Sequence, residues 1–116
     1  MTYERIGRVA SLLQELSAVF IRDEANASPL ITVTGVEVSS DLRQATILVS
    51  IFPEAEEQQA LIFLKRKGGA LRSFVKEKAR LKDIPHFDFS VDHGEKNRQI
   101  LDEIAYRQMQ SEKDAN

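Results

Sequence analysis

A pair of adjacent glycines inside a basic and otherwise helical segment is the strongest constraint on how this chain can fold. The segment KRKGGALRSFVKEKARLK runs from Lys65 to Lys82, and Gly68 and Gly69 interrupt it. Each glycine destabilises a helix interior by roughly 1 kcal/mol relative to alanine. The pair therefore indicates that the backbone turns here or that another molecule comes close to it. An ordinary helix C-cap explains the same glycines equally well.

The same segment concentrates the positive charge of the chain. It holds eight Lys or Arg and one acid, a net charge of +7, whereas the other residues hold eight Lys or Arg and seventeen Asp or Glu, a net charge of −9. At about 100° per residue, Arg72, Lys76 and Arg80 lie on one arc of a helix, and the apolar side chains lie on the opposite arc. Such a field attracts polyanions to one surface. A helix that begins after Gly69 would also offer N–H groups that suit a phosphate.

The remaining pattern predicts a two-layer α+β domain with its helices on one face of a three-stranded sheet. Apolar residues three and four apart predict a first helix that ends at about Asp23. Alternating patterns predict strands at 30–40, 45–52 and 86–92, and Pro53 starts a helix that leads to the glycines. A last helix is expected at 94–110. Residues 1–110 would thus form a single domain of order αββααβ with a C-terminal helix, and 111–116 a frayed polar tail.

The first two predicted strands form a hairpin with two specific features. Gly35, in the middle of the first strand, predicts a bulge or a close neighbour, and the pattern places Thr34 on the same face as Val36 and Val38. Asp41 follows two serines, which is typical of a carboxylate that stabilises a turn rather than one that takes part in catalysis.

Several classes of function have no support in the sequence. There is no Cys, no GxSxG and no Walker lysine, and His86 and His93 lack recognisable ligand spacing, so we expect no enzyme, metal site or cofactor. The N-terminus lacks the apolar core of a signal peptide, and no apolar run approaches the roughly 20 residues that span a bilayer. We therefore expect a cytoplasmic monomer that makes no membrane contact.

Four segments in this order resemble the ribosome-binding factor A family. They are VTGVEVSSDLRQATILVSI (33–51), GALRSFV (69–75), Arg80 with Pro85, and FDFSVD, which ends at Asp92. The resemblance extends from about Arg5 to about Ile104. It implies a type II KH-like fold and a bacterial factor that binds the immature small (30S) ribosomal subunit and its 16S rRNA during late maturation and rRNA processing, most clearly in the cold. An assembly GTPase is a further partner to consider.

In this family a helix–kink–helix element with the pattern Ala, any residue, Gly replaces the GxxG loop of ordinary KH domains. The corresponding residues here are Lys67, Gly68 and Gly69, so a lysine stands where the family has alanine. KH-type modules hold the nucleic-acid backbone at the turn between two helices.

The candidate RNA-binding residues are therefore the glycines and the cations of the basic segment that reach solvent. They are Lys65, Arg66, Lys67, Gly68, Gly69, Arg72, Lys76 and Arg80. Four cations are expected at the margin of the interface: Arg5, Arg8, Lys78 and Lys82. The helical angles of Lys78 and Lys82 place them nearer the packed side. The alternative is a protein-interaction module whose basic helix binds an acidic protein partner. Charge alone does not distinguish binding of RNA from binding of an acidic protein.

Overall fold

Three helices and a three-stranded sheet make up the described part of the chain. The structure, a computed structural model, describes residues 3–25 and 29–94. Its elements are α1 (Tyr3–Glu24), β1 (Leu30–Val38), β2 (Gln44–Phe52), a 3₁₀ turn (Glu54–Glu56), α2 (Glu57–Arg66), α3 (Gly68–Lys78) and β3 (His86–Val91). Apart from Gly94, the expected C-terminal helix at 94–110 lies outside the described residues, and so does the tail. The predicted α+β order αββααβ is confirmed.

The sheet has the strand order β1-β2-β3, and its central strand provides the floor of the core. β1 pairs antiparallel with β2, whereas β3 pairs parallel with β2. A parallel pair needs a long crossover connection, which α2 and α3 supply here. Side chains of β2 alternate, so Ile47 and Val49 are fully buried against the helices, and Phe87 and Phe89 continue that buried face on β3.

The bulge predicted at Gly35 is present in β1. The pairing register with β2 shifts between Val33 and Gly35, so both Val33 and Val36 lie opposite buried residues of β2. Thr34 is the extra residue, and the prediction that it shares a face with Val36 is wrong because a bulge shifts the alternation by one. Its hydroxyl donates a hydrogen bond to the Asp92 carboxylate at 2.7 Å. This contact ties the bulge to the end of β3.

The first helix packs into the core through its apolar residues three and four apart, which form an apolar stripe. One buried residue of this stripe is polar. Leu13 is fully buried, and Val9 and Phe20 lie in the same core. Ser17, four residues after Leu13 on the same stripe, is also fully buried. Its hydroxyl oxygen has no hydrogen-bond partner among the described residues. Burying an unpaired hydroxyl is unfavourable, so Ser17 reduces the stability of α1.

The third helix is shorter than the pattern predicted. It ends at Lys78, and Ala79 has an extended backbone (φ −112°, ψ 144°), so Arg80 does not lie on the solvent-facing arc of α3. Tertiary contacts override the helical pattern here. Pro85 is buried, and the His86 N–H donates to the Arg43 carbonyl oxygen at 2.8 Å, which anchors the start of β3 beside β2. The chain has to extend after α3 to reach that position.

Ser17→Ala is expected to raise the free energy of unfolding by about 0.5–1 kcal/mol, because it removes the unpaired hydroxyl and alanine is a better helix former. Urea unfolding followed by circular dichroism measures the change. Leu71→Ala is the control, because Leu71 is fully buried and its truncation should cost about 2–5 kcal/mol. A lower free energy of unfolding for Ser17→Ala would show that the hydroxyl has a partner.

Candidate nucleic-acid interface

A single residue, Lys67, forms the kink between α2 and α3. The Lys67 N–H donates to the Leu64 carbonyl at 2.9 Å, and the Leu71 N–H donates to the Lys67 carbonyl at 2.8 Å. Lys67 thus ends one helix and begins the next, with φ −89° and ψ 1°. Any L-residue can adopt this conformation. A lysine in place of the family alanine is therefore compatible with the kink.

The two glycines are the first residues of α3, so the expectation that this helix starts after Gly69 is wrong. Neither glycine has a positive φ. A Cβ on Gly68 would meet the Phe87 carbonyl oxygen at 3.6 Å, an ordinary contact, and a Cβ on Gly69 would meet nothing within 4 Å. The fold itself therefore requires neither glycine. The N-cap residue, Lys67, makes no side-chain capping bond to the first-turn N–H groups of α3.

Two cations share a stripe of α3 with the second glycine. At about 100° per residue, Gly69, Arg72 and Lys76 fall within an arc of about 60°. Arg72 and Lys76 are exposed, whereas Leu71 and Val75 are fully buried and anchor the helix to the core. We call Gly69, Arg72 and Lys76 the basic stripe. It places two positive charges on a helix face that begins in the first turn of α3, which is an arrangement suited to phosphates.

Two lysines near the kink already have partners within the protein. The Lys67 Nζ lies 3.4 Å from Glu24 Oε2 and 5.6 Å from the centroid of the Phe63 ring. The Lys65 Nζ lies 3.8 Å from Asp88 Oδ1. These ion pairs are substantially solvent-exposed, and such pairs contribute only about 0–1 kcal/mol. Lys67 therefore links the kink to the end of α1, and its charge is partly compensated in the free protein.

The other predicted cations are exposed. These are Arg66 at the end of α2, Lys78 at the end of α3, and Arg80 and Lys82 in the segment that leads to β3. The expectation that Lys78 and Lys82 lie nearer the packed side is wrong. For Lys82 it assumed a helix that continues past Lys78, whereas α3 ends there. Lys78 is the last residue of α3 and its side chain is exposed.

A cleft of about 790 Å³ lies between α1, the β1–β2 turn, α3 and the start of β3. Its charged and polar lining includes residues that are far apart in the sequence: Arg5, Asp41, Arg43, Arg72, Lys82, Asp83 and His86. Arg43 and His86 were not predicted as site residues. They meet because β3 adds to the sheet beside β2, and no local pattern reveals which strand β3 joins. Arg8 is exposed on α1 but does not line the cleft.

The β1–β2 turn fixes the position of Arg43. The Ser39 hydroxyl donates to Asp41 Oδ1 at 2.6 Å, and the Arg43 N–H donates to the same oxygen at 3.0 Å. These hydrogen bonds hold the pKa of Asp41 below its usual value, and the bond from Ser39 has the larger effect. Leu42 adopts a positive φ of 59° within the turn. The prediction that Asp41 stabilises a turn is confirmed.

Two further properties concern the described residues alone. Within 3–25 and 29–94, no helix combines the length and the apolar character needed to cross a bilayer. In the same ranges no group of three or more His, Asp or Glu side chains is placed to hold a metal ion.

Comparisons with known proteins agree on one family. A family model described as ribosome-binding factor A matches residues 5–105. The chain is 41% identical over 112 residues to ribosome-binding factor A of Brevibacillus brevis, which covers 90% of this chain and 93% of that protein. Its fold is similar to the crystal structure of ribosome-binding factor A from Thermus thermophilus, with a TM-score of 0.67, 24% identity, and coverage of 74% of this chain and 94% of that one.

A second structural comparison involves a ribosomal complex. The chain is similar to a homology model of Thermus thermophilus ribosome-binding factor A that was fitted into the cryo-EM map of its complex with the 30S subunit. The TM-score is 0.62, the identity is 26%, and the match covers 70% of this chain and 88% of that one.

Gly69→Ala is expected to raise the free energy of unfolding by about 0.5–1 kcal/mol, because the new Cβ enters open space and alanine is the better helix former. Thermal and urea unfolding measure it. Gly68→Ala, whose Cβ would contact the Phe87 carbonyl, serves as the comparison. Its free energy of unfolding should rise by less than that of Gly69→Ala. If Gly69→Ala were destabilising, the fold would require this glycine.

Proposed function

The chain belongs to the ribosome-binding factor A family, and we propose that it acts as an assembly factor that binds the immature 30S subunit. This is a family of ribosome-binding factors and not of enzymes. The observation that carries the proposal is the family match over residues 5–105, which contains the whole helix–kink–helix element. A relative in the same family has been fitted into a 30S complex.

The surface that we propose for 16S rRNA is centred on the basic stripe. Arg72 and Lys76 would neutralise backbone phosphates, and the open space at Gly69 would admit a phosphate close to the first-turn N–H groups of α3. Arg66 and Arg80 lie exposed on the flanking segments and would extend the contact. Because this surface presents cations and backbone donors rather than aromatic rings, recognition of RNA shape and backbone is expected over reading of base sequence.

The paired lysines would exchange partners on binding. Lys67 would leave Glu24 and Lys65 would leave Asp88 when a backbone phosphate of the RNA comes within reach. The ion pairs that they give up are weak because they are exposed. The exchange therefore costs little, and in the free protein the two carboxylates reduce the repulsion among the cations.

The wider role that we propose follows from family membership. Residues 1–110 would act as a single RNA-binding domain, as a monomer, in the bacterial cytoplasm. The protein would work during late maturation of the subunit and the accompanying rRNA processing, with the greatest demand in the cold. An assembly GTPase would be the class of partner that acts on the same particle.

The triple variant Arg72→Ala, Lys76→Ala, Arg80→Ala is expected to lose most of its affinity for small subunits while remaining folded, because all three side chains are exposed. Loss of three phosphate contacts should flatten the log–log salt dependence of binding by about 2 units for a single-stranded target. The measurement is co-sedimentation with small subunits from cells grown in the cold, at several salt concentrations.

The matched control retains the charges, as Arg72→Lys, Lys76→Arg, Arg80→Lys, and should keep most of the binding. Circular dichroism of both variants verifies the fold. Unchanged affinity of the alanine variant would rule out this surface. If nuclease digestion of the rRNA left the wild-type protein attached to the particle, an acidic protein partner would be favoured instead.

A further inference from the structure

The cleft beside α3 has a charged rim and an apolar floor, and it is separate from the kink. Lys65, Lys67 and Gly69 are not among its lining residues. We propose that this cleft receives one unstacked nucleotide of the RNA, with its phosphate held by the arginines of the rim and its base lying on the apolar floor. The inference rests on the proposed function and adds a second contact, for a nucleotide rather than for backbone alone.

The rim brings together cations from four different segments. Arg5 comes from α1, Arg43 from the β1–β2 turn, Arg72 from α3, and Lys82 from the segment before β3. Two acids, Asp41 and Asp83, also line the cleft, which leaves an excess of positive charge. A solvated helix face or a helix dipole accounts for cations along one element. Neither accounts for convergence from four elements.

One acid of the rim, Asp41, and one cation, Arg72, already make hydrogen bonds within the protein. One Asp41 oxygen accepts hydrogen bonds from the Ser39 hydroxyl and the Arg43 N–H, so this carboxylate stabilises the turn. The Arg72 guanidinium donates to the Ile84 carbonyl at 3.4 Å, which orients it along the cleft wall. A guanidinium held in this way retains other N–H donors for a phosphate.

The floor provides an apolar surface on which a base could lie. Val9 and Pro85 are buried beneath it, and Leu81 and Ile84 are half-buried and line the cleft. His86 is exposed at the edge and adds an aromatic ring suited to stacking. An inorganic anion would use the rim alone, and a peptide made only of Asp and Glu would bring no flat ring to the floor. A nucleotide uses both parts.

Both walls of the cleft are held in place before any ligand arrives. The His86 N–H donates to the Arg43 carbonyl oxygen at 2.8 Å, so the turn and the start of β3 are fastened to each other. The cleft volume of about 790 Å³ lies within the range of roughly 300–1,000 Å³ that is usual for small-ligand sites. A preformed cleft loses little conformational entropy on binding.

The first test compares Arg43→Ala with Arg22→Ala, which removes the same charge from an exposed position near the other end of α1. Arg43→Ala keeps the backbone N–H and carbonyl that hold the turn and β3. It should weaken binding of a single-stranded hexaribonucleotide about tenfold, the effect of one charged hydrogen bond. It should also flatten the salt dependence by about 0.7 units. Arg22→Ala should bind like the wild-type protein.

The second test separates a nucleotide from phosphate alone. His86→Ala should weaken binding of the hexaribonucleotide but leave binding of a hexametaphosphate of similar charge unchanged. In ¹⁵N-resolved NMR titrations the hexaribonucleotide should shift the amides of residues 41–43 and 81–86, in addition to those around the kink.

Other outcomes would overturn the inference in distinguishable ways. Shifts confined to the kink and the basic stripe, with Arg43→Ala equal to Arg22→Ala, would remove the cleft contact and leave the proposed function intact. Equal shifts of 81–86 with hexa-glutamate would assign the cleft to an acidic peptide. If the wild-type protein bound neither the hexaribonucleotide nor small subunits, the proposed function would fail together with the cleft.

Discussion

The parallel pairing of β3 with β2 is the constraint on which the rest of the structure depends. Partners such as Ile47 and Phe89 align the two strands in the same direction, so the chain has to cross the sheet between them. The crossover is α2, the kink and α3, held down by Leu64, Leu71 and Val75, all essentially buried. Since one face of α3 is fixed in this way, its basic stripe is held at the surface.

Two features of the basic segment, its clustered cations and Gly69, lower the stability of the fold. Eight cations within eighteen residues repel one another, and the exposed ion pairs of Lys65 and Lys67 offset only a small part of that repulsion. Gly69 weakens the start of α3, although the fold has room for a side chain there. Local features that lower stability without serving the fold are expected at functional sites. Here two such features, the cations Arg72 and Lys76 and the glycine Gly69, lie on the same surface of α3.

Local chemistry was sufficient to predict the elements and several of their details. The alternation in β2, the bulge at Gly35 and the turn at Asp41 each follow from a few neighbouring residues. The end of α3 did not follow, because Pro85 and His86 are anchored by β2 and the turn, and these lie far away in the sequence. The cleft was missed for the same reason. In the sequence Arg43 is an ordinary turn residue, and only the parallel register of β2 and β3 places His86 beside it.

Arg72 connects the two surfaces. It lies on the basic stripe with Gly69 and Lys76, and it also lines the cleft with Arg43. An RNA strand that follows the stripe would therefore reach the cleft without leaving the protein surface. Loss of Arg72 would affect both proposed contacts at once, so its effect alone would not assign binding energy to either. Lys76 and Arg43 each belong to one surface only, and the non-additivity of their combined loss would measure how strongly the stripe and the cleft act together.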